Sequence, residues 1–513
     1  MGTDQLRDRY EQLPYPGGTY RFTHPDRLAV TARLRGLETP PVETARILEI
    51  GCGTGVNAVA MAAWLPQAQV VGIDLSADIL KTGLEAAAAL GLDNIRLLPG
   101  AIEAIPKDIG AFDYIIAHGV FSWVPGDVQD ALLANIADFL SPDGLAYVSY
   151  NTAPGWHLQN YVRDLMLRMA PREDPTEACS AGRTVLQIAA GMDPESGPHV
   201  AVLAAAAHEL SQQPDGYLFH DYLTPINTPI YFQDFVAWAS QHDLNWVGEA
   251  RPGEHRRFGL AEGPQRLVDA TTDEIVREEL LDFLRARRFR RSVLTRGRPP
   301  LDVLPEDGLA GLHAVIRAVP VGPISLLPDV PVSFTTRDDL DIGVGDRALK
   351  TALALLWERH PTPVAWETIR DHVTSECEQA PANLASALTE MFKLEVIDLL
   401  PRTIDVPTDA GDRPTAAPFA RHLAEAGETW VLNAFHERGQ LGPLERELIR
   451  LCDGTRSYDG LVDGLLAAVQ EGRLVAHLGD DTVDDLAAIR DALVKMVSPG
   501  IDELVSLGLL SSE

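Results

Sequence analysis

Apolar runs that suit buried strands alternate with stretches of helical period over residues 45–150. The strand-like runs are 45–50, 70–74, 95–99, 112–118 and 144–150. Each is apolar almost throughout, as expected of strands covered on both faces. Residues 56–64, 76–90 and 128–140 read as helices between them, with a weaker one near 102–105. Ser76 is placed to cap the second helix, and Ser141-Pro142-Asp143-Gly144 reads as a turn. Such alternation predicts an α/β fold: a parallel sheet, helices on both faces, and a ligand at the carboxyl ends of the strands.

The pattern changes after residue 155. Residues 156–217 are Ala-rich with helical spacing, and 200–210 is mostly apolar, which predicts a helical insertion and a candidate dimerisation surface. Residues 231–249 read as a helix and then a strand, a unit that can return to the edge of the same sheet. Residues 274–291 read as a charged helix ending in Arg285, Arg287, Arg288, Arg290 and Arg291. Residues 297–340 and 409–418 are Pro-, Gly- and Asp-rich linkers. Helices at 350–357, 366–373 and 384–393 with a strand at 394–400 suggest a winged-helix-like module. A looser repeat follows at 444–453, 458–470, 482–495 and 501–510. The expected divisions are 1–155 for an N-terminal cap and nucleotide-binding domain and 156–300 for a helical and dimerisation region. Winged-helix-like domains follow at 301–408 and 409–513.

Candidate chemistry concentrates at the first strand. Ile47-Leu48-Glu49-Ile50 leads into Gly51-Cys52-Gly53-Thr54-Gly55, and a helix opens at Val56-Asn57. Glycines there let the backbone turn tightly and approach a ligand. The second strand ends in Asp74, about 20 residues on, the spacing at which a carboxylate meets a ribose hydroxyl in doubly wound folds. The glycine spacing is shorter than the dinucleotide pattern. The arrangement E-x-G-x-G-x-G resembles motif I of the class I S-adenosylmethionine (SAM) methyltransferases.

Composition narrows the partners. The 513 residues carry a net charge of −31, which opposes nucleic acid and anionic membrane surfaces. It suits a basic substrate, or serves solubility alone. The Arg285–Arg291 cluster, alone in an acidic chain, fits internal pairing better than a nucleic-acid site. No stretch is apolar and long enough to insert in a membrane and residues 1–12 are polar, so a cytoplasmic protein is expected. The four cysteines, Cys52, Cys179, Cys377 and Cys452, form no C-x-x-C pair, so neither a disulfide framework nor a metal site is expected. Cys52 reads as a small buried residue of the loop.

The tails of the fourth and fifth strands would deliver His118, Trp123, Tyr150, Asn151, Trp156 and His157 to the ligand crevice. Aromatic faces there suit a sulfonium or a methylated ammonium, and His118 is a candidate proton acceptor. Ahead of the first strand, Tyr10, Tyr15, Tyr20 and Phe22 with Gly17-Gly18 form either a lid over the ligand or packing on the outside of the sheet.

These residues extend the resemblance. Thr23-His24-Pro25 with Leu28, the Glu49–Gly55 loop and Gly72-Ile73-Asp74-Leu75-Ser76 are similar to the bacterial methyltransferases that carry a methyltransferase regulatory domain. The likeness continues through Asp113–Pro125, Val148-Ser149-Tyr150-Asn151-Thr152, Pro154-Gly155-Trp156, His220-Asp221-Tyr222-Leu223, Asn227-Thr228-Pro229 and Tyr231-Phe232-Gln233-Asp234-Phe235. Within that group the chain resembles the rickettsial-type protein-lysine methyltransferases. The resemblance covers the first 300 residues best. It departs from the common pattern at Cys52 and at Ala101-Ile102-Glu103, where an acid usually comes first. It implies a Rossmann-like SAM domain, a helical dimerisation insertion (hence a candidate homodimer) and C-terminal winged-helix-like modules that gather a protein substrate.

The expected cofactor contacts are Glu49, Gly51, Cys52, Gly53, Gly55, Asn57, Asp74, Leu75, Ile102, Glu103, His118 and Gly119. Tyr15, His118, Trp123, Tyr150 and His220 are the candidates for the acceptor pocket. The leading expectation is a SAM-dependent methyltransferase acting on a protein or peptide lysine. The alternatives are a small-molecule biosynthetic methyltransferase and a non-catalytic SAM-binding regulatory scaffold.

Overall fold

The computed structural model describes residues 7, 11–13, 15, 17–170, 174–255, 259–297, 299–300, 308–327, 330–377, 383–475, 477–478, 481–482 and 485–511. Tyr10 lies outside the described residues.

The first half is built in chain order from α1 (Pro25–Arg33), β1 (Arg46–Ile50), α2 (Val56–Trp64), β2 (Gln69–Asp74), α3 (Lys81–Ala89), β3 (Ile95–Pro99), β4 (Phe112–Ala117), α4 (Gly126–Phe139) and β5 (Leu140–Asn151). Three helices follow, α5 (Ala153–Met169), α6 (Pro175–Ala190) and α7 (Pro198–Ser211), and then a π-helical turn, Leu218–Tyr222. The chain returns through α8 (Phe232–Gln241), β6 (Leu244–Glu249), α9 (Glu262–Ala270), α10 (Glu274–Arg285) and β7 (Phe289–Arg296).

The seven strands lie in the order β3-β2-β1-β4-β5-β7-β6. Strands β1 to β5 run parallel, and β7 is antiparallel to both β5 and β6. This is a Rossmann-like sheet whose strand order reverses between β1 and β4. The crevice at their carboxyl ends is therefore the expected ligand position. The pleat divides the core. Ile47, Val70, Tyr114, Ile116 and Tyr147 face α1 and α2. Leu48, Val71, Ile115, Ala117, Val148 and Tyr150 face α4 and α8. Both faces are apolar because helices cover both, which is why these strands show no alternation in the sequence.

Several local expectations change. Ser141–Gly144 is not a separate turn; β5 starts at Leu140 and runs through it, with a register shift against β4 between Phe112 and Tyr114. Ser76 accepts the Ile79 amide at 3.3 Å and opens the turns that precede α3, so the regular helix begins only at Lys81. The charged helix ends at Arg285, and Arg290 and Arg291 lie in β7. Arg290 is fully buried against Glu249 (2.7 Å), Asp282 (2.8 Å) and Glu278 (3.3 Å), with Phe232 under its guanidinium. Three more of the cluster are paired: Arg287 with Asp282, Arg288 with Glu209 and Arg291 with Glu254. A cation so enclosed cannot serve a phosphate backbone.

The second half holds two smaller modules. In the first, β8 (His313–Ile316) lies between β12 (Val364–Ala365) and β13 (Ile397–Leu400). Between β8 and β12 come β9 (Val319–Pro320), β10 (Val332–Thr335), β11 (Asp341–Val344) and α11 (Arg347–Glu358). Helices α12 (Trp366–Glu376) and α13 (Leu384–Lys393) complete its core. The second module has α14 (Pro418–Glu425), the hairpin β14 (Trp430–Leu432) and β15 (Arg438–Gln440), α15 (Pro443–Leu451) and α16 (Tyr458–Gln470). A short pairing, β16 (His477–Leu478) with β17 (Asp481–Thr482), precedes α17 (Leu486–Ser506). The sequence suggests a helix that ends at Lys495, ahead of Pro499, but α17 passes through it. Val497 and Ile501 on either side are both buried, so one continuous apolar face outweighs the missing amide.

Both modules dock on the N-terminal segment through buried charge. Arg21 and Arg27 reach Asp398 of β13, the former at 2.8 Å. Arg402 grips both oxygens of Asp26, and Arg317 and Arg337 meet Glu437 at 2.6 and 2.9 Å. Phe419, Leu423, Trp430 and Leu432 of the last module share a core with α2.

Candidate active site

At the carboxyl ends of β1, β2, β4 and β5 lies a cavity of about 1150 Å³. Its floor is the glycine loop. Gly51 and Gly53 have φ of +72° and +56°, a region that costs an ordinary side chain about 1–2 kcal/mol. A Cβ on Gly51 would lie 2.4 Å from Val120, whereas a Cβ on Gly53 would point into open space. The Gly53 position is therefore a cradle that only bare backbone leaves vacant. Asp74 holds the loop in place: its carboxylate accepts the Gly53 amide at 2.8 Å and the Ser76 amide at 3.1 Å. Burial raises the Asp74 pKa against these stabilising amides.

Glu49 lies beneath the loop, almost wholly buried. Asn57 Nδ2 donates to its Oε1 at 2.8 Å and to Thr23 Oγ1 at 3.1 Å. Glu49 Oε2 is buried with no partner among the described residues. Desolvation pushes its pKa up to about 8, an effect that the Asn57 hydrogen bond offsets only in part. Asn57 Oδ1 accepts from the Tyr20 amide at 3.1 Å and lies 3.0 Å from His436 Nε2 in the turn between β14 and β15. One amide thus joins the N-terminal segment, the glycine loop and the last module.

His118 stands at the end of β4. Its Nδ1 lies 3.0 Å from the Tyr147 hydroxyl and 3.2 Å from Ser149 Oγ, and Tyr20 lies over its ring at 4.1 Å. Burial and the nearby Arg291 push its pKa down to about 3, so the imidazole is neutral and a weak base. Cys52 is held as a thiol by burial and by the charges of Glu49 and Asp74, so it is no nucleophile.

Beyond the loop the wall turns aromatic. Trp123 meets Trp156 edge-on at 6.0 Å, Trp156 stacks on Tyr222 at 5.6 Å, and Tyr15 meets His220 edge-on at 5.5 Å. His220 Nε2 is committed to the Leu13 carbonyl, which pins the N-terminal segment over the cavity.

Of the residues expected from sequence, Tyr15, Glu49, Gly51, Cys52, Gly53, Asn57, Asp74, Leu75, Ile102, Glu103, His118, Gly119, Trp123 and His220 all line this cavity. Two do not. A Cβ on Gly55 would lie 2.7 Å from Leu97, so this glycine lets α2 pack closely on β3 and does not face the ligand. Tyr150 stacks on Phe235 at 4.0 Å and bonds Ser292 at 3.0 Å within the core. Tyr147 lines the cavity instead, because residues an odd number apart on a strand face opposite sides. His157 lies outside as well, near the Tyr231 hydroxyl at 2.9 Å. Gly17 to Phe22 also line the cavity, which favours the lid over the packing alternative. Asp221, Tyr217 and Tyr222 complete the wall; the His220-Asp221-Tyr222 string was their only signal in the sequence.

A nucleotide-type sheet with a bare-backbone cradle, a carboxylate at the end of β2 and a buried acid with one oxygen unpartnered among the described residues defines a SAM-dependent methyltransferase. The cavity fits the cofactor: Glu49 Oε2 is a waiting acceptor for an ammonium, and the Gly53 cradle takes backbone-close contact. Comparison with known proteins agrees. Residues 47–144 match the methyltransferase domain model, 214–296 the predicted methyltransferase regulatory domain, and 412–509 the PKMT C-terminal winged helix domain. An uncharacterised protein of Rickettsia prowazekii is 27% identical over 99% of this chain and 95% of its own length. A second from the same organism is 36% identical over 45% of this chain and 94% of its own. The solved structure of PKMT2 from Rickettsia typhi superimposes with a TM-score of 0.85 at 25% identity, covering 97% of this chain and all of that one, and it has also been solved with AdoHcy. The chain belongs to the class I SAM-dependent methyltransferases that carry a methyltransferase regulatory domain, and it is similar to the rickettsial-type protein-lysine methyltransferases.

Proposed function

We propose that this methyltransferase acts on a protein or peptide amine, the side chain of lysine above all. The observation that carries this reading is the aromatic wall of Tyr15, Trp123, Trp156, Tyr217 and Tyr222, contiguous with the cofactor loop in one cavity. Aromatic faces attract an alkylammonium, and a water-poor wall disfavours its charged form, which promotes loss of its proton. The similarity to PKMT2, the winged-helix module and the net charge of −31 support a basic protein substrate and speak against nucleic acid. Among the described residues no helix is long and apolar enough to cross a membrane.

SAM, when bound, supplies an electrophilic methyl group on a sulfonium. This chain's residues do the rest. Glu49 and the backbone at Gly51 and Gly53 would hold the amino-acid part, Asp74 the ribose, and Ile102 with Glu103 would border the base. Tyr20 and His118 shield the far side of the loop from water. Positioning and exclusion of water, rather than a strong base at His118, are the contributions this geometry supports.

Leu158, Tyr161 and Met169 of α5, Ile188 of α6, Met192 just after it and Val202 of α7 are exposed on the helical insertion. We read this face as a homodimer surface, which light scattering would check.

Incubating the protein with methyl-labelled SAM and a lysine-rich protein or a cell lysate tests the amine reading. Label should enter protein as methyl-lysine after hydrolysis. Label found only in small molecules would favour the biosynthetic alternative, and SAM binding with no turnover the regulatory scaffold.

A further inference from the structure

The π-helical turn Leu218–Tyr222 carries an acid, Asp221, that lines the same cavity. Such turns are rare and often mark functional positions. No Lys or Arg forms an ion pair with Asp221 among the described residues. Arg288, a cation on the same wall, is held by Glu209 at 3.0 Å. Tyr217 donates its hydroxyl to the carboxylate, and burial pushes the Asp221 pKa up to about 7. Tyr222 ends its own turn and Tyr217 directly precedes it, and Tyr20 from the N-terminal segment lies close enough to feel both Asp221 and Glu49. The acid is therefore ringed by aromatic groups, within electrostatic range of the cofactor loop, and lacks a cation among the described residues. His118, by contrast, is too weak a base to take a proton from an ammonium.

We propose that Asp221 is the anchor and proton acceptor for the acceptor ammonium, pairing with it between Tyr217, Tyr222 and Trp156. This rests on the amine reading above. The carboxylate accepts an N–H of the ammonium and then takes that proton, which leaves a neutral amine. The freed nitrogen lone pair forms the bond to the methyl carbon as the carbon–sulfur bond breaks, with that bonding pair staying on sulfur. The methylated nitrogen keeps the positive charge, and Asp221 returns its proton to solvent, one proton per turnover.

The test compares wild type with Asp221→Asn and Tyr217→Phe, using a lysine peptide as acceptor and AdoHcy binding as a check on fold. Wild-type kcat/KM should rise with pH through a limb near 7. Asp221→Asn should bind AdoHcy within about twofold of wild type, lose that limb and raise the peptide KM by tenfold or more. Tyr217→Phe, which removes the hydrogen bond that favours the carboxylate, should move the limb to higher pH; this variant decides the matter if Asp221→Asn fails to bind AdoHcy. An unchanged pH profile and KM in Asp221→Asn, or an unmoved limb in Tyr217→Phe, would overturn the role of Asp221 alone. Wild-type protein that binds AdoHcy yet methylates no amine would overturn the amine reading and this proposal with it.

Discussion

The proposed pairing of Glu49 with the cofactor's ammonium would make cofactor binding depend on pH. In the free protein its carboxyl is pushed up to about 8 by burial, so below that pH it is mostly protonated. Only the ionised form can pair with the cofactor's ammonium through Oε2. Binding must then expel a proton, and affinity must rise with pH. Each pH unit below about 8 costs ~1.36 kcal/mol, or about tenfold in Kd. From pH 5.5 to 7.5 the Kd for AdoHcy should fall by about a hundredfold. Isothermal titration in two buffers of different ionisation enthalpy would also show about one proton released per site. Asp74 and Asp221 are raised in the same direction, so the variant isolates the cause. Glu49→Gln should flatten the slope and abolish proton release. A flat wild-type profile, or an equal slope in Glu49→Gln, would refute the reasoning. The same group sets the pH dependence of the unliganded fold. A carboxyl raised from the unfolded value of about 4.3 favours folding fully below pH ~4.3, and that contribution drains away as pH climbs toward 8. Saturating AdoHcy should cancel the decline.

Three further outcomes are expected. Gly51→Ala forces φ +72° on a side chain that meets Val120, so AdoHcy affinity should drop at least about tenfold by titration, the equivalent of ~1–2 kcal/mol of backbone strain. Asp398→Asn strips the shared anion from Arg21 and Arg27 and should cost about 3–5 kcal/mol, read by calorimetry as a lower Tm; an unchanged Tm would mean the modules do not depend on this pairing. Tyr150→Phe should lose about 1 kcal/mol with the Ser292 bond yet keep kcat, and a tenfold fall in kcat would return Tyr150 to the site.

The sequence alone determined the local elements and the ligand type. A buried strand, a glycine turn and a helix are fixed by neighbours within a few residues, and Asp74 follows at the end of the next strand, so the gathering of Glu49, Gly53 and Asp74 at one cavity was legible. Helix α16 and strand β3 appeared with their observed bounds for the same reason. The third dimension decided the rest. Whether Tyr147 or Tyr150 reaches the cavity depends on which face of β5 the pleat turns inward, and an all-apolar strand conceals that choice. His436 meets Asn57 across 379 positions, and Arg27 meets Asp398 across 371. Nothing in a local period encodes such pairs; they exist because two modules bury charge together on the N-terminal segment. Asp221 belongs with them. Its raised pKa and its lack of a cation among the described residues are properties of the enclosing walls, which come from widely separated parts of the chain.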